Sequence, residues 1–450
     1  MRRDLSLAGL VCFAAMPLAG CSSEAPASST SFPQESASEI AEVTGTPDRL
    51  AACNQDPRVR AGLVSPEVCA GADVFFRETF AGNGRTCGSC HPVANNTTLD
   101  EPFIQALHQT NPADPLFVFE RDANLSQLET ADLLNAGAVL ENLDGFEDPA
   151  HKFVSRTVNH VLSLATSTRA DPADGTDRSV KERTGWSGDG APDDGTLRSF
   201  LVGAIRQHFT KTLTRREGTD FRLPTQQELD LTRAFQLSLG RTNELDLTQV
   251  RLSDADAEQG RQAFLDPNRG RCNVCHSNAG ANFLDTGLNR NFDTGVRTVV
   301  GNRDLGLTTG NWNNNYFVDG GFGATTPFDA DGSGTPNSLG NGTFNPPPLI
   351  EAADTGPFFH NNARGPEIED AVAFYASAPF KNSPAAAELD KRFGASLELA
   401  AFDSANIARL LRVLNAAFNL DIALQRLNAA NTLASSSGDQ GADVQQRLIE

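Results

Sequence analysis

Two copies of one five-residue motif constrain this chain more than any other feature. Residues 87–91 read Cys-Gly-Ser-Cys-His, and residues 272–276 read Cys-Asn-Val-Cys-His. In a C-x-x-C-H motif the cysteines lie one helical turn apart, so both sulfurs can form thioethers with one porphyrin edge while the histidine ligates iron. A zinc site needs four ligands, and a redox dithiol does not need the histidine. The duplicated motif therefore predicts two covalent haem c groups, with zinc and a redox dithiol as alternatives.

The motifs assign a role to each of their side chains. The predicted thioether residues are Cys87, Cys90, Cys272 and Cys275, and the predicted proximal iron ligands are His91 and His276.

The N-terminus has the features of an export signal. Arg2 and Arg3 precede an apolar stretch, residues 5–18, that is too short to span a bilayer. The stretch leads into Leu-Ala-Gly-Cys, which predicts a lipoprotein signal peptide over residues 1–20 with lipid attached to Cys21. An ordinary signal peptide is the alternative. We therefore expect an exported, periplasmic protein whose lipid anchor is its one membrane contact, with the outer membrane favoured.

Two further cysteines, Cys53 and Cys69, remain outside the signal and the haem motifs. In an exported protein such a pair most simply forms a disulfide, and two free thiols are the alternative.

The charge balance limits the classes of partner. The formal net charge of −20 argues against nucleic acid and against charge-driven binding to anionic lipid. It permits a basic redox partner. Residues 21–50, rich in Ser, Ala, Pro and Glu, predict a disordered tether, and residues 432–450 predict a flexible tail.

A short helix with the pattern G-x-x-x-F precedes each haem motif. Gly71 and Phe75 form the first copy, and Gly260 and Phe264 the second. Residues four apart share a helix face, as in the N-terminal helix of a cytochrome c that packs against the C-terminal helix. Ser65-Pro66 predicts the start of the first helix. For the second, Ser253 followed by Asp256 resembles a capping box.

The remaining chain predicts a mostly α fold class. Further helices are expected at about residues 198–212, 226–240, 366–377, 386–393 and 403–428. Strand signals are few. We expect two cytochrome c-like domains with long irregular loops, residues 51–242 and residues 243–431, each with one covalent haem and joined near Asn243–Arg251.

Longer segments resemble the bacterial dihaem cytochrome c peroxidase/MauG superfamily over roughly residues 65–425. In the C-terminal half, residues 344–362 resemble the family's "TPxLRN … APYFHDG" segment, and residues 369–375 resemble the "LEEAVxxM" helix that follows it. In the N-terminal half, residues 184–190 resemble "FWDGR" and residues 203–205 the subsequent "GPI".

The resemblance implies reduction of hydrogen peroxide at the haem on His91, with electrons entering through the haem on His276. The donor would be a redox partner protein such as a small cytochrome or cupredoxin. Two alternatives stay open: a non-catalytic dihaem electron-transfer cytochrome, and a haem oxidase similar to MauG or to rubber oxygenase.

The C-terminal haem departs from the peroxidase pattern in its second axial ligand. The resembled peroxidases use His and Met there, but the chain's two methionines, Met1 and Met16, both lie in the signal. The corresponding position falls at Phe374 or Tyr375. A tyrosine would match the His/Tyr ligation of MauG, so Tyr375 is the candidate ligand, with a core-packed tyrosine as the alternative. His360 corresponds to the family's histidine near the haem edge and not on iron.

The N-terminal haem departs from the pattern in its acid–base group. The family's glutamate position falls near Thr210, and no carboxylate lies there. His208 is the candidate in its place, as a distal base, as a sixth ligand, or as an ordinary helix-surface histidine. His151 falls near the family's displaceable distal histidine. His160 and His108 are weaker candidates.

Two further family features have candidates in this chain. Trp186 matches the tryptophan that lies between the haems and carries electrons, with ordinary core packing as the alternative. For the family's calcium ion, residues 329–335 resemble the start of a calcium loop. The loop lacks its closing glutamate, which favours an Asp/Gly-rich surface turn over calcium binding.

Overall fold

The structure is a computed structural model, and it describes residues 48–126, 128–129, 131–142, 153–172, 180–189, 194–299, 318–323, 327–328 and 338–436. The predicted signal and nearly all of the tether, His151 and the calcium-like loop lie outside these ranges. Contacts group the chain from Asp48 onward into one compact unit, which holds both haem motifs.

Helices dominate the N-terminal half. They are α1 Arg49–Cys53, α2 Pro57–Arg60, α3 Pro66–Arg77, α4 Cys87–Cys90, α5 Glu101–Thr110, α6 Val118–Arg121, α7 Ala131–Ala136, α8 Leu164–Ser167, α9 Leu197–His208 and α10 Gln226–Ser238. An antiparallel pair of strands, β1 Ala138–Asn142 and β2 Phe153–Thr157, lies between α7 and α8.

The C-terminal half repeats this helical character. Its helices are α11 Ala255–Leu265, α12 Ile368–Phe374, α13 Ala378–Lys381, α14 Pro384–Phe393 and α15 Ala401–Ser436. Three two-residue strands, β3 Val318–Asp319, β4 Pro327–Phe328 and β5 Ser338–Leu339, form a small mixed sheet in the order β3-β5-β4. The segment 243–251, predicted as a linker, contains neither helix nor strand.

The same helix crossing occurs in each half. Helix α3 packs against α10, and α11 packs against α15. A Cβ added to Gly71 would overlap the carbonyl oxygen of Leu231, and one added to Gly260 would overlap that of Asn406. The two glycines therefore let the helix backbones touch, as the repeated G-x-x-x-F pattern predicts. The two phenylalanines of the pattern, Phe75 and Phe264, are both buried.

Local signals set the starts of these helices. Ser65 caps α3 by accepting from the Val68 N–H at 3.2 Å, and Pro66 occupies the first turn. The predicted cap of α11 was wrong by one residue: Asp254, not Ser253, accepts from the Ala257 N–H at 2.8 Å. Aspartate and serine both cap well, so sequence alone did not separate these neighbours.

The predicted tether and tail are each shorter than expected where the structure describes them. Helix α1 begins at Arg49, inside residues 21–50, because Asp48 caps it. Helix α15 continues to Ser436, inside the predicted tail, and the buried Ala430 and Leu433 account for its extension. The predicted disulfide between Cys53 and Cys69 is confirmed and ties α1 to α3.

The crossing at Gly260 predicts a stability effect. Gly260→Ala should lower the free energy of unfolding by about 1–3 kcal/mol, because the methyl group forces α11 away from α15. Gln262→Ala, at an exposed position of the same helix, should change it by less than about 0.5 kcal/mol. Chemical denaturation of the mature protein measures both. Equal effects of the two substitutions would contradict close backbone packing at this crossing.

Candidate haem sites

The first motif forms a single helical turn. Cys87 and Cys90 begin and end α4, and the His91 N–H donates to the Cys87 carbonyl at 3.0 Å. Thr86 and Ser89 cap the turn reciprocally. Burial raises the pKa of Cys87 to about 12 and that of Cys90 to about 11. The two thiols are therefore neutral and free, on one face of one turn, as thioether formation with one porphyrin edge requires.

His91 is held with one ring nitrogen available. Its Nδ1–H donates to the Thr97 carbonyl at 2.8 Å, which leaves the Nε2 lone pair free. Burial lowers the pKa of His91 to about 4, although the Thr97 carbonyl opposes the shift. The ring is therefore neutral at pH 7. A neutral imidazole fixed through Nδ1 is the usual form of a metal-ligating histidine.

The second motif repeats this arrangement on a different backbone. Cys272–Val274 form a 3₁₀ turn, and the His276 N–H donates to the Cys272 carbonyl at 2.9 Å. The Nδ1–H of His276 donates to the Gly280 carbonyl at 3.1 Å. Burial lowers the pKa of His276 to about 4, although the carbonyls of Gly280 and Pro347 both oppose the shift. Both motif histidines are thus neutral rings held through Nδ1.

The second motif opens into a large apolar cavity. The cavity leaves about 1260 Å³ unoccupied by protein atoms, a volume that includes the open solvent at its mouth. Its walls include apolar side chains such as Phe344 and Leu411. The residues that carry predicted roles and line it are Cys272, Cys275, His276, Tyr375, His360 and Trp186. The residues predicted to attach a haem and to ligate its iron therefore line the same apolar cavity, and this lining fits a haem.

Tyr375 follows α12 directly and lines the cavity that holds His276. Its ring makes edge contacts with Phe374 and Phe380, at centroid distances of 5.3 and 4.9 Å. Within the described ranges its hydroxyl has no hydrogen-bond partner. Burial, followed by the thiols of Cys275 and Cys272, raises its pKa. The ring contacts agree with the core-packed alternative, and the position at the cavity wall agrees with a ligand role, which stays a prediction.

His360 lines the same cavity as a fixed, neutral ring. It stacks on Phe344 at a centroid distance of 4.1 Å, and its Nε2 lies 3.9 Å from Asp319 Oδ2. Asp319 is itself paired with the buried Arg156, at 2.6 and 2.8 Å. Burial lowers the pKa of His360 to about 4. This packing suits a residue at the cavity wall.

Trp186 links the second cavity to the N-terminal half. Its ring lines the cavity, and its Nε1–H donates to the Thr157 carbonyl, at the end of β2, at 2.8 Å. Thr157 also donates its N–H to the His360 carbonyl and its hydroxyl to the Phe359 carbonyl, at 2.7 and 2.8 Å. Thr157 is therefore the junction of three segments at the cavity edge.

A short route leads from this junction to the first motif. The next residue, Val158, accepts at its carbonyl from the Thr98 hydroxyl at 2.5 Å. Thr98 follows Thr97, whose carbonyl accepts from His91. Three hydrogen bonds and a few peptide units thus connect Trp186, at the second cavity, with the His91 ring.

His208 ends α9 beside the first motif. Asn83, in the loop before Cys87, donates its side-chain amide to the carbonyls of His208 and Thr210, both at 2.9 Å. The His208 ring is near enough to His91 that a positive charge on His208 would lower the pKa of His91. The His208 side chain is only 15% exposed, which argues against a helix-surface histidine.

A buried carboxylate that sequence reasoning missed also lies at this site. Glu129 is fully buried, and its Oε1 lies 3.4 Å from His208 Nδ1 and 2.9 Å from Arg85 Nη1. Its Oε2 accepts from the Leu140 N–H at 2.9 Å. The resemblance places the acid–base position near Thr210, far along the chain from Glu129. The one signal in the sequence was a glutamate directly after Leu128.

The other histidine candidates differ in where the structure places them. His160 is buried near His91. Its Nδ1 accepts from the Leu162 N–H at 3.2 Å, and its Nε2 has no partner among the described residues. His108 stays a weaker candidate, because its half-exposed side chain pairs with Glu120 at 2.8 Å. His151 is not among the residues described. In the described part of the chain, no group of three or more His, Cys, Asp or Glu side chains could hold a metal ion.

Comparisons with known proteins give only distant structural likenesses. No family model and no curated protein matches the sequence. A MauG-like protein associated with microbial copper homeostasis is 14% identical, with 78% of this chain and 88% of that chain covered and a TM-score of 0.41. Hydrazine synthase of Kuenenia stuttgartiensis is 13% identical, with 77% and 87% covered and a TM-score of 0.39. At this level of similarity, only the chain's own residues indicate what it binds.

Proposed function

We propose that this chain is an exported dihaem c-type oxidoreductase that reduces hydrogen peroxide to water. Cys87, Cys90 and His91 would hold one haem, and Cys272, Cys275 and His276 the other. The observation that carries the proposal is the duplicated motif in which each histidine is a buried, neutral ring fixed through Nδ1. The two sites differ, because a tyrosine lies at the second site and a buried His/Glu pair lies at the first. This difference supports electron entry at the second site and peroxide reduction at the first.

The reaction consumes two electrons and two protons per peroxide and gives two molecules of water. Bound haem would supply the redox-active iron at which the O–O bond is cleaved. The chain's part is proton handling and electron delivery. His208 would take a proton from the entering peroxide and return it to the departing oxygen.

Electron delivery would use the second site and the route through Trp186. A reduced partner protein, of the small cytochrome or cupredoxin kind, would donate at the haem held by His276. Tyr375 as second ligand would close that site to peroxide. Trp186 and the hydrogen bonds through Thr157, Val158 and Thr98 would lead the electrons towards His91.

We include the cellular location of the protein in the same proposal. Lipid attached to Cys21 would anchor the chain to a membrane, outer in preference, on the periplasmic side. In the described ranges, no helix is both long enough and apolar enough to cross a bilayer.

A non-catalytic electron carrier is the second candidate. The observation that favours it is the presence of two histidines, His208 and His160, near His91. Either could occupy the position opposite His91 and close the site. Both sites would then exchange electrons without binding peroxide.

Ligand binding separates the two candidates. The mature protein, fully oxidised or half-reduced, should bind cyanide or carbon monoxide at one haem, and peroxide should be consumed when a reduced donor is present. Failure of both haems to bind either ligand in both states would eliminate the peroxidase. Ligand binding without peroxide turnover would point to the haem oxidase alternative.

Trp186→Phe tests the electron route. The substitution keeps an aromatic wall but removes the indole N–H that reaches Thr157. Electron transfer from the second haem to the first should slow by at least roughly tenfold if it depends on this contact. Rapid-mixing spectroscopy after reduction by the donor measures the rate. The haem content should stay unchanged. Phe292→Leu, at another part of the same wall, is the control. Unchanged transfer in the Trp186 variant would contradict the route.

A further inference from the structure

The first site contains a fully buried ion pair that the proposed peroxide chemistry does not yet use. Arg85 and Glu129 are both 0% exposed and lie 2.9 Å apart. Arg85 also donates to the carbonyls of Pro115 and Leu116, at 3.3 and 2.7 Å. Breaking a buried ion pair is costly, so the geometry of Glu129 is firmly maintained.

The pair lies between the haem motif and His208. Arg85 precedes Cys87 by two residues, and the charges of Arg85 and Glu129 both act on the Cys90 thiol. On the other side, Glu129 Oε1 lies 3.4 Å from His208 Nδ1. Glu129 therefore faces the attachment residues and the distal candidate at once.

The carboxylate is ionised despite its burial. Burial raises its pKa, but the nearby His208 ring, the charge of Arg85 and the Leu140 N–H together bring the pKa below its usual range. One oxygen accepts from Leu140 and the other faces Arg85 and His208, so the side chain cannot turn away without losing a partner.

The contact to His208 is nearly formed. At 3.4 Å the two atoms are within ion-pair distance, but Nδ1 makes no hydrogen bond of good geometry to any residue that the structure describes. Catalytic hydrogen bonds are often long before the cofactor or substrate is bound, and tighten afterwards. A small rotation of the ring would let Nδ1–H donate to Glu129 and present Nε2 on the opposite side.

We propose that Glu129 is the positioning residue of the first haem site, holding His208 through Nδ1 so that Nε2 acts on whatever binds opposite His91. This deepens the proposed function and rests on its placement of His208. Glu129 does not touch the substrate. It fixes the tautomer of His208 and compensates the positive charge that His208 acquires when Nε2 takes a proton from peroxide.

A double-mutant cycle tests whether Glu129 acts through His208. The variants are Glu129→Gln, His208→Ala and the two together, in the haem-loaded protein. The readouts are the rate of cyanide association between pH 5 and 9 and the low-temperature electron paramagnetic resonance spectrum of the oxidised protein. Glu228→Gln is the matched control, because Glu228 is also buried and paired with an arginine, Arg222, at 2.7 Å.

We expect Glu129→Gln to lower the cyanide association rate by roughly tenfold or more and to change its pH profile. In the His208→Ala background, the same substitution should have no further effect, because its route of action is gone. Glu228→Gln should leave rate and spectrum as in the wild type. Equal effects of Glu129→Gln with and without His208, or no effect of His208→Ala on either readout, would overturn the proposal.

Two further results separate failure of this proposal from failure of the proposed peroxidase function. If the wild type binds no cyanide, the peroxidase proposal fails, and the resonance spectra still decide whether Glu129 acts on the first haem through His208. If Glu129→Gln does not fold, Arg85→Met with Glu129→Leu replaces the ion pair with apolar side chains of similar volume. That double variant should give the same loss of rate. A wild-type rate in it would overturn the proposal.

Discussion

Replacing Cys272 and Cys275 with serine should remove one haem from the chain and leave the other in place. Serine cannot form the thioether bonds, and the apolar cavity beside this motif would lose the haem proposed to occupy it. Unfilled apolar space is strongly destabilising, at about 24 cal/mol for each Å³ that does not collapse. We therefore expect a lower melting temperature as well. Intact-mass measurement under denaturing conditions, on protein matured in a host that attaches haem c, counts the haems.

Two controls make this result specific. Cys87→Ser with Cys90→Ser should remove the other haem, so the wild type should carry two haem masses and each double variant one. Cys53→Ser with Cys69→Ser breaks the disulfide and should leave both haems attached. A wild type without haem, or a mass that either motif variant leaves unchanged, would refute the assignment of the motifs.

Tyr375→Phe should change the second haem more than any other single side chain outside the motif. A phenolate ligand lowers the iron reduction potential, and axial ligands set haem potentials over a range of about 0.8 V. Loss of the hydroxyl should therefore raise the potential of this haem by at least on the order of 0.1 V and open it to cyanide. Redox titration followed by visible spectroscopy measures both effects. The ring contacts with Phe374 and Phe380 survive the substitution, so stability should change little.

Another residue of the same cavity wall provides the comparison. Phe292→Leu alters the wall but removes no candidate ligand atom, so it should leave both potentials as in the wild type. If Tyr375→Phe leaves the potential and spectrum of the second haem unaltered, Tyr375 is a packed core residue and another group completes that iron.

Local signals predicted much of this fold because the relevant interactions are close in sequence. The turn that holds each cysteine pair and the capped helix before it depend on neighbouring residues. The glycines at 71 and 260 are more informative still, since only close contact with a second helix explains a glycine on the buried face. That contact involves the carbonyls of Leu231 and Asn406, which sequence could not name.

The candidate sites were predictable only in part, because distant segments complete them. Tyr375 and Trp186 came from a resemblance, and the structure brings both to the cavity of His276. Glu129 was missed because it reaches His208 through tertiary folding and not through any spacing. Helix α15 was expected to end early, but the burial of Leu433 extends it, and such burial depends on the packing of the whole unit.

Low-temperature electron paramagnetic resonance of the oxidised and half-reduced protein, with and without cyanide, tests the central claim most directly. We predict two distinct haem signals. The signal from the His276 site should have His/Tyr character and should not change when cyanide is added. The signal from the His91 site should be replaced by that of a cyanide complex in at least one of the two redox states. Two low-spin signals of bis-histidine type, both unaffected by cyanide in either state, would contradict it.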